Sequence, residues 1–179
     1  NDSIMNIYRS IKNDHKHFIR CMDDLSEQYL PLDKEERKKF YYALRNEHAY
    51  EYEKWNQTEE AATLYFLMKT GFNGIWQINK NTNNRFGTPS GLLNQKDKVY
   101  DKENLLEWHY ALQQCTLTSG DFEDTFEYVT DKSYVFLDPP YRGSFTQYGV
   151  DFDDNLQLKV INYLNASTRK GAYALMSNR

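Results

Sequence analysis

An α/β fold with a parallel sheet is what the sequence predicts, and three observations predict it. Two short, continuous apolar runs, Tyr134-Val135-Phe136-Leu137 and Ala172-Tyr173-Ala174-Leu175-Met176, have the length and composition of buried strands. Residues 154–165, between them, have helical spacing and length, as a crossover between parallel strands requires. The 179 residues, 40% hydrophobic and 27% charged, suffice for the core of an ordinary soluble, globular chain.

The elements follow in order. Ile4, Ile7, Tyr8 and Ile11 recur at helical spacing, so residues 3–20 read as a helix. Pro31 ends that pattern, and Leu32-Asp33-Lys34 leads into a charged helix over 34–50 with Phe40, Ala43 and Leu44 on one face. Thr58 followed by Glu59-Glu60 has the make-up of a helix start; Ala61, Leu64, Tyr65 and Met68 form its apolar stripe, and Gly71 ends it. Residues 72–98 then change character. Asn73, Asn79, Asn81, Asn83, Asn84 and Asn94 crowd together with Gly74, Gly87, Pro89 and Gly91, which predicts a long loop or a small hairpin. Its charges lean basic, with Lys80, Arg85, Lys96 and Lys98 against Asp97. Such an excursion is either functional or a plain surface loop. Residues 103–114 read as a helix, Cys115 to Thr118 as a short strand, and Gly120-Asp121-Phe122 as a turn into a short helix ending near Thr130. There is no internal repeat and no low-complexity tract.

Composition excludes some functions. The net charge of −4 and pI of about 5.6 are not those of a non-specific nucleic-acid coat, so any such contact must come from a local basic patch. The aromatic share is 16%, with 15 tyrosines, which offer either stacking surfaces or core. Cys21 and Cys115 lie far apart and read as reduced core thiols; His15, His17, His48 and His109 show no metal-ligand spacing. No apolar run reaches membrane-spanning length and the start is no signal peptide, so the expected setting is cytoplasmic. The chain begins at Asn1 without Met and ends just past a strand-like run, so it is expected to continue beyond both ends.

The sharpest local feature is Asp138-Pro139-Pro140-Tyr141, at the C-terminal end of an apolar strand, where open α/β sheets bind ligands. Two prolines after a strand also serve simply to end pairing and stiffen a turn. The four-residue string arises by chance on the order of once in a thousand chains of this length, which favours chemistry. The residue types suit one task. An amine on a planar ring is a poor nucleophile because its lone pair is delocalised, and two acceptors aimed at its hydrogens draw it toward sp³ geometry. The Asp138 carboxylate is one acceptor; the carbonyl of Pro139, held by a rigid backbone, is the other. Tyr141 offers a ring on which an extruded base stacks. No metal is needed.

Asp138-Pro139-Pro140-Tyr141 resembles the catalytic motif of S-adenosylmethionine-dependent amino-methyltransferases that act on DNA. Thr70 through Asn79, with Phe72-Asn73-Gly74, and then Asn84-Arg85-Phe86-Gly87-Thr88-Pro89-Ser90-Gly91 resemble the target-recognition segment of Dam-type (D12 class) adenine-N6 methyltransferases. Asn1 through Lys12 is similar to the helix after that family's second cofactor motif. Phe145-Thr146, Tyr148 and Phe152 resemble its segment after the catalytic motif, and Leu175, Ser177 and Asn178 its next strand end. The order, recognition before catalysis, is that of the family's α group.

The resemblance implies a Rossmann-like methyltransferase core with an inserted, partly helical target-recognition region: residues 1–30 and 103–179 in the core, 31–102 in the inserted region. It implies S-adenosyl-L-methionine as cofactor, double-stranded DNA as substrate, no membrane partner, and a cognate restriction endonuclease as a possible partner. Asp138, Pro139, Pro140 and Tyr141 would hold a flipped adenine and its N6. Asp121 and Phe122 match a motif gripping the cofactor's adenine; their plainer reading is a helix N-cap and a core aromatic. Phe72, Asn73, Gly74, Gln77, Asn79 and Pro89 fall in the DNA-recognition segment. Lys69 and Arg85 would touch phosphate, or are simply solvated. Gln77 stands where the family commonly has Arg; Gln suits adenine better than guanine, so the GATC preference of some members is not carried over. The family's Phe-x-Gly-x-Gly motif and the acidic residue for the cofactor ribose are absent and expected upstream of Asn1. Two other functions stay open: an inactive DNA-binding homologue, and an amino-methyltransferase for cytosine N4, RNA or protein glutamine.

Overall fold

The computed structural model describes residues 2–91, 98–140 and 152–177. The chain divides into two compact units, Asn1–Ser119 and Gly120–Arg179.

The first unit is helical. Helix α1 (Asp2–Tyr29) runs well past the predicted 3–20, with its backbone broken at Asp14 (φ −143°, ψ 42°). Short polar side chains such as Asp compete with the helix for hydrogen bonds, and here Asp14 accepts from the Thr58 hydroxyl at 3.1 Å. At the far end of α1 the Arg37 guanidinium bonds to the carbonyls of Tyr29 and Leu30 and lies 5.0 Å from the Tyr29 ring. It thereby satisfies acceptors that the helix leaves open where Pro31 stops it. Helix α2 (Lys34–Tyr50) starts with a reciprocal cap: Asp33 accepts from the Glu35 and Glu36 amides, and Glu36 accepts from the Asp33 amide. Helix α3 (Gln57–Thr70) is capped in the same way by Asn56 and Glu59. Asn56, not Thr58, therefore sets its start.

The predicted one-sided stripe of α3 is also corrected. Ala61, Ala62, Thr63, Leu64, Phe66 and Leu67 are all buried, while Tyr65 and Met68 are only partly so. The reason is position: α3 packs against both α1 and α2, and a helix contacted on two sides needs apolar residues around most of its surface. Phe18, Met22, Tyr29, Tyr41 and Phe66 fill the centre, with Tyr29 and Phe66 edge to face at 5.4 Å. Helix α4 (Lys102–Gln113), capped by Asp101, packs on α1. Cys115 to Thr118, expected as a strand, pairs with no strand among the described residues. Cys115 is exposed rather than core, and Cys21 is half-buried.

The second unit holds β3 (Tyr134–Leu137), α5 (Asp154–Arg169) and β4 (Tyr173–Met176). The two strands pair in parallel with Tyr134 opposite Tyr173 and Leu137 opposite Met176, as the apolar runs predict. The segment expected as a short helix is a 3₁₀ run, Phe122–Tyr128. The strands are not buried on both faces. Val135 and Leu137 pack with Phe122, Phe126, Val129, Tyr163 and Ala172, but Tyr134, Phe136, Tyr173 and Leu175 are between 51% and 78% exposed. A continuous apolar run does not reveal how many of its faces are covered. Among the described residues no helix is long and apolar enough to cross a membrane.

Candidate functional site

Asp138 stands where β3 ends. Because Leu137 pairs with Met176, the residues that follow each strand, Asp138 and Ser177, come side by side. The Ser177 amide donates to the Leu137 carbonyl at 2.9 Å, and the Ser177 hydroxyl donates to Asp138 Oδ1. The carboxylate is exposed, and Pro139 and Pro140 behind it are partly buried. Tyr141 lies outside the described residues, as do Phe145, Thr146, Tyr148 and Asn178. In the same unit Asp121 caps the 3₁₀ run by accepting from the Glu123 amide at 3.0 Å, and Phe122 packs on Tyr163 with ring centroids 5.6 Å apart. Both residues thus fill the cap and core places that are the plainer reading of the sequence. One Asp121 oxygen is engaged, and its side chain faces solvent.

The second group of candidate residues lies in the first unit. A short antiparallel hairpin, β1 (Ile78–Asn79) and β2 (Arg85–Phe86), stands in the Asn/Gly-rich stretch. The asparagines build its turns. Asn73, Asn83 and Asn84 have φ of 51°, 53° and 55°, a left-handed backbone that Asn tolerates better than most residues. The Asn79 side chain, expected as a recognition group, accepts from the Asn81 amide at 2.8 Å, so it shapes the turn. Phe72, Ile75 and Ile78 are exposed apolar side chains, Gln77 is partly buried, and Pro89 and Lys69 are exposed, with the Lys69 ammonium 5.4 Å from the Tyr65 ring.

The hairpin is tied to the helices at several points. The buried Tyr41 phenol donates to the Thr88 carbonyl at 2.9 Å; burial holds its ionisation far above the usual range, so it stays a neutral donor. Tyr50 donates to the Asn81 carbonyl, and the Thr88 hydroxyl to that of Ile75. Arg85, expected near phosphate, lies with its guanidinium 3.4 Å from the centre of the Tyr52 ring and paired with Glu60 of α3. His48 of α2 is buried with Nε2 3.4 Å from the same carboxylate. The His48 imidazole, followed by Arg85 and against the cost of burial, holds the Glu60 carboxyl below its ordinary range. None of Tyr41, Tyr50, Glu60 or His48 stands out in the sequence. Tyr41, Tyr50 and Glu60 lie 25 or more residues from Thr88, Asn81 and Arg85, and His48 lies 12 from Glu60; no spacing rule spans those distances.

The stretch Phe86 to Gly91 closes against the end of α3. Phe72 N–H bonds to Pro89 O, and Gly91 N–H to Thr70 O, each at 2.9 Å. A Cβ at Gly91 would lie 2.6 Å from the Gly71 carbonyl oxygen and 2.8 Å from that of Thr70. Gly91→Ala is therefore expected to destabilise this unit by about 2 kcal/mol, as forced overpacking against rigid backbone does. Ser90→Ala next to it should be neutral or better, because the Ser90 hydroxyl is buried without a hydrogen-bond partner among the described residues. Urea unfolding of both variants checks this; equal midpoints for Gly91→Ala and the parent would refute the close packing.

Comparison with known proteins adds the last observation. A family model described as D12 class N6 adenine-specific DNA methyltransferase matches residues 1–179. The chain is 33% identical to the Type II methyltransferase M.MjaIII of Methanocaldococcus jannaschii, over 99% of this chain and 63% of the relative. It is 25% identical to the Type II methyltransferase M1.LlaDCHI of Lactococcus lactis subsp. cremoris, over 99% and 62%. It is 26% identical to the Retron Ec67 DNA adenine methylase of Escherichia coli, over 99% and 59%. The chain thus spans about three-fifths of the length of these curated relatives.

Proposed function

Because the chain belongs to the D12 class of N6 adenine-specific DNA methyltransferases, we propose that the protein containing it methylates N6 of a flipped-out adenine in duplex DNA. The observation that carries this is a carboxylate at the C-terminal end of a parallel strand followed by Pro139-Pro140. The Asp138 carboxylate and the Pro139 carbonyl accept hydrogen bonds from the two N–H groups of the adenine amine, freeing the nitrogen lone pair and stabilising the positive charge that develops on N6 as the new N–C bond forms, until a proton leaves. Tyr141 stacks on the base. The methyl donor, S-adenosyl-L-methionine, supplies the methyl group when bound. The residues present suit its adenine: the exposed Asp121 carboxylate can accept from its amine, and the partly buried Phe122 offers a ring.

On the same reading the fold is a Rossmann-like core, supported by the parallel β3–α5–β4 unit, with residues 1–30 and 103–179 in the core and 31–102 as the inserted recognition region. Phe72, Asn73, Gly74, Gln77 and Pro89 face DNA; the exposure of Phe72 and Pro89 supports this. Asn79 and Arg85 act mainly by holding the hairpin, and Lys69 by adding positive charge at the end of α3. A cognate restriction endonuclease is the partner suggested by the Type II names of two relatives.

The test is nucleoside mass analysis of unmethylated duplex DNA incubated with the full-length protein and labelled cofactor. N6-methyladenine is the expected product. N4-methylcytosine, or no methylated nucleoside, would overturn the proposal.

A further inference from the structure

We propose that Ser177 is a positioning residue for methyl transfer, orienting the Asp138 carboxylate; this rests on Asp138 being the acceptor for the adenine amine. The placement is a product of the sheet. Parallel pairing of Leu137 with Met176 brings the two strand ends level, and the Ser177 amide bonded to the Leu137 carbonyl fixes the serine backbone there. The hydroxyl then donates to Asp138 Oδ1, while Oδ2 has no hydrogen bond from any described residue.

An exposed aspartate otherwise rotates about both side-chain torsions, so a fixed acceptor direction requires a second contact. Ser177 supplies it from the position just past β4, where its amide bond to Leu137 fixes the backbone, and the contact leaves Oδ2 with its lone pairs for the amine. A hydroxyl suits this task. It holds an ionised carboxylate by donation and adds no charge that would compete with the proton leaving N6. The sequence alone marks Ser177 only as a strand end, because 38 intervening residues separate it from its partner.

The experiment uses the full-length protein and steady-state kinetics on duplex DNA with four forms: parent, Ser177→Ala, Ser177→Thr and Asp138→Ala. Losing one hydrogen bond to a charged group predicts a kcat for Ser177→Ala about 10- to 100-fold below the parent, with KM for DNA and for the cofactor within about twofold. Ser177→Thr, which keeps the hydroxyl, retains kcat within a fewfold. A full kcat for Ser177→Ala beside an inactive Asp138→Ala overturns the role of Ser177 and leaves the reading of Asp138 intact. An active Asp138→Ala overturns that reading and the inference with it. A Ser177→Ala defect that falls on KM, or that Thr does not rescue, makes Ser177 a structural residue only and overturns the inference as well.

Discussion

Full-length protein carrying Asp138→Ala is expected to lose methyl transfer by at least about 10²–10³-fold while still binding duplex DNA. The magnitude is that of deleting one preorganised group aimed at charge that develops in a transition state. The retained binding follows because the candidate DNA residues from Phe72 to Pro89 belong to a different compact unit from Asp138. Filter binding or anisotropy measures the second quantity and labelled-methyl incorporation the first. Normal incorporation would remove Asp138 from the chemistry. Loss of DNA binding together with transfer would instead point to a folding defect, which thermal unfolding of the same sample reveals.

Glu60→Gln is expected to cost about 3 kcal/mol of stability, the scale on which removing one partner of a largely buried ion pair acts. The Glu60 and Arg85 side chains are 15% and 20% exposed, and the substitution leaves the Arg85 guanidinium against the Tyr52 ring without its counter-charge. The pH dependence has a definite sign. The folded Glu60 carboxyl ionises below its ordinary range because of the His48 imidazole first and Arg85 after it. Its contribution is therefore complete above the unfolded carboxyl value of about 4.3, and it is lost as the pH falls through the lower folded value. Urea unfolding at neutral pH should separate variant and parent, and the separation should shrink in acid. Equal midpoints at neutral pH would show that the link between α3 and β2 adds nothing. Since Arg85 lies in the hairpin, the variant should also bind DNA more weakly than its folded fraction explains.

Much of the local structure was legible because its causes are local. Helix α2 begins and ends where its pattern says, since Asp33 and Glu36 cap it and Pro31 isolates it. The β3–α5–β4 unit was legible from two apolar runs and the helix between them. The misreadings share another cause. The stripe assigned to α3 missed Phe66 and Leu67 because burial on two sides depends on which helices arrive there. Cys115 to Thr118 has strand-forming residues but no partner strand among the described residues, and a strand exists only in pairs. The apolar runs of β3 and β4 predict buried strands, yet α5 and the 3₁₀ segment cover one face.

For the candidate site, the sequence by itself determined the chemistry on offer. A carboxylate, two prolines and an Asn/Gly-rich stretch are legible as residue types, and the family they resemble is legible from those motifs. Tertiary structure decided which groups those residues meet. It set Ser177 against Asp138 by strand register, committed Arg85 to Glu60 and Tyr52, and turned the Asn79 side chain into its own turn. The physical reason is range: torsional preference and hydrophobic period act over a few residues, whereas a hydrogen bond between residues 138 and 177 exists only after β3 and β4 have paired.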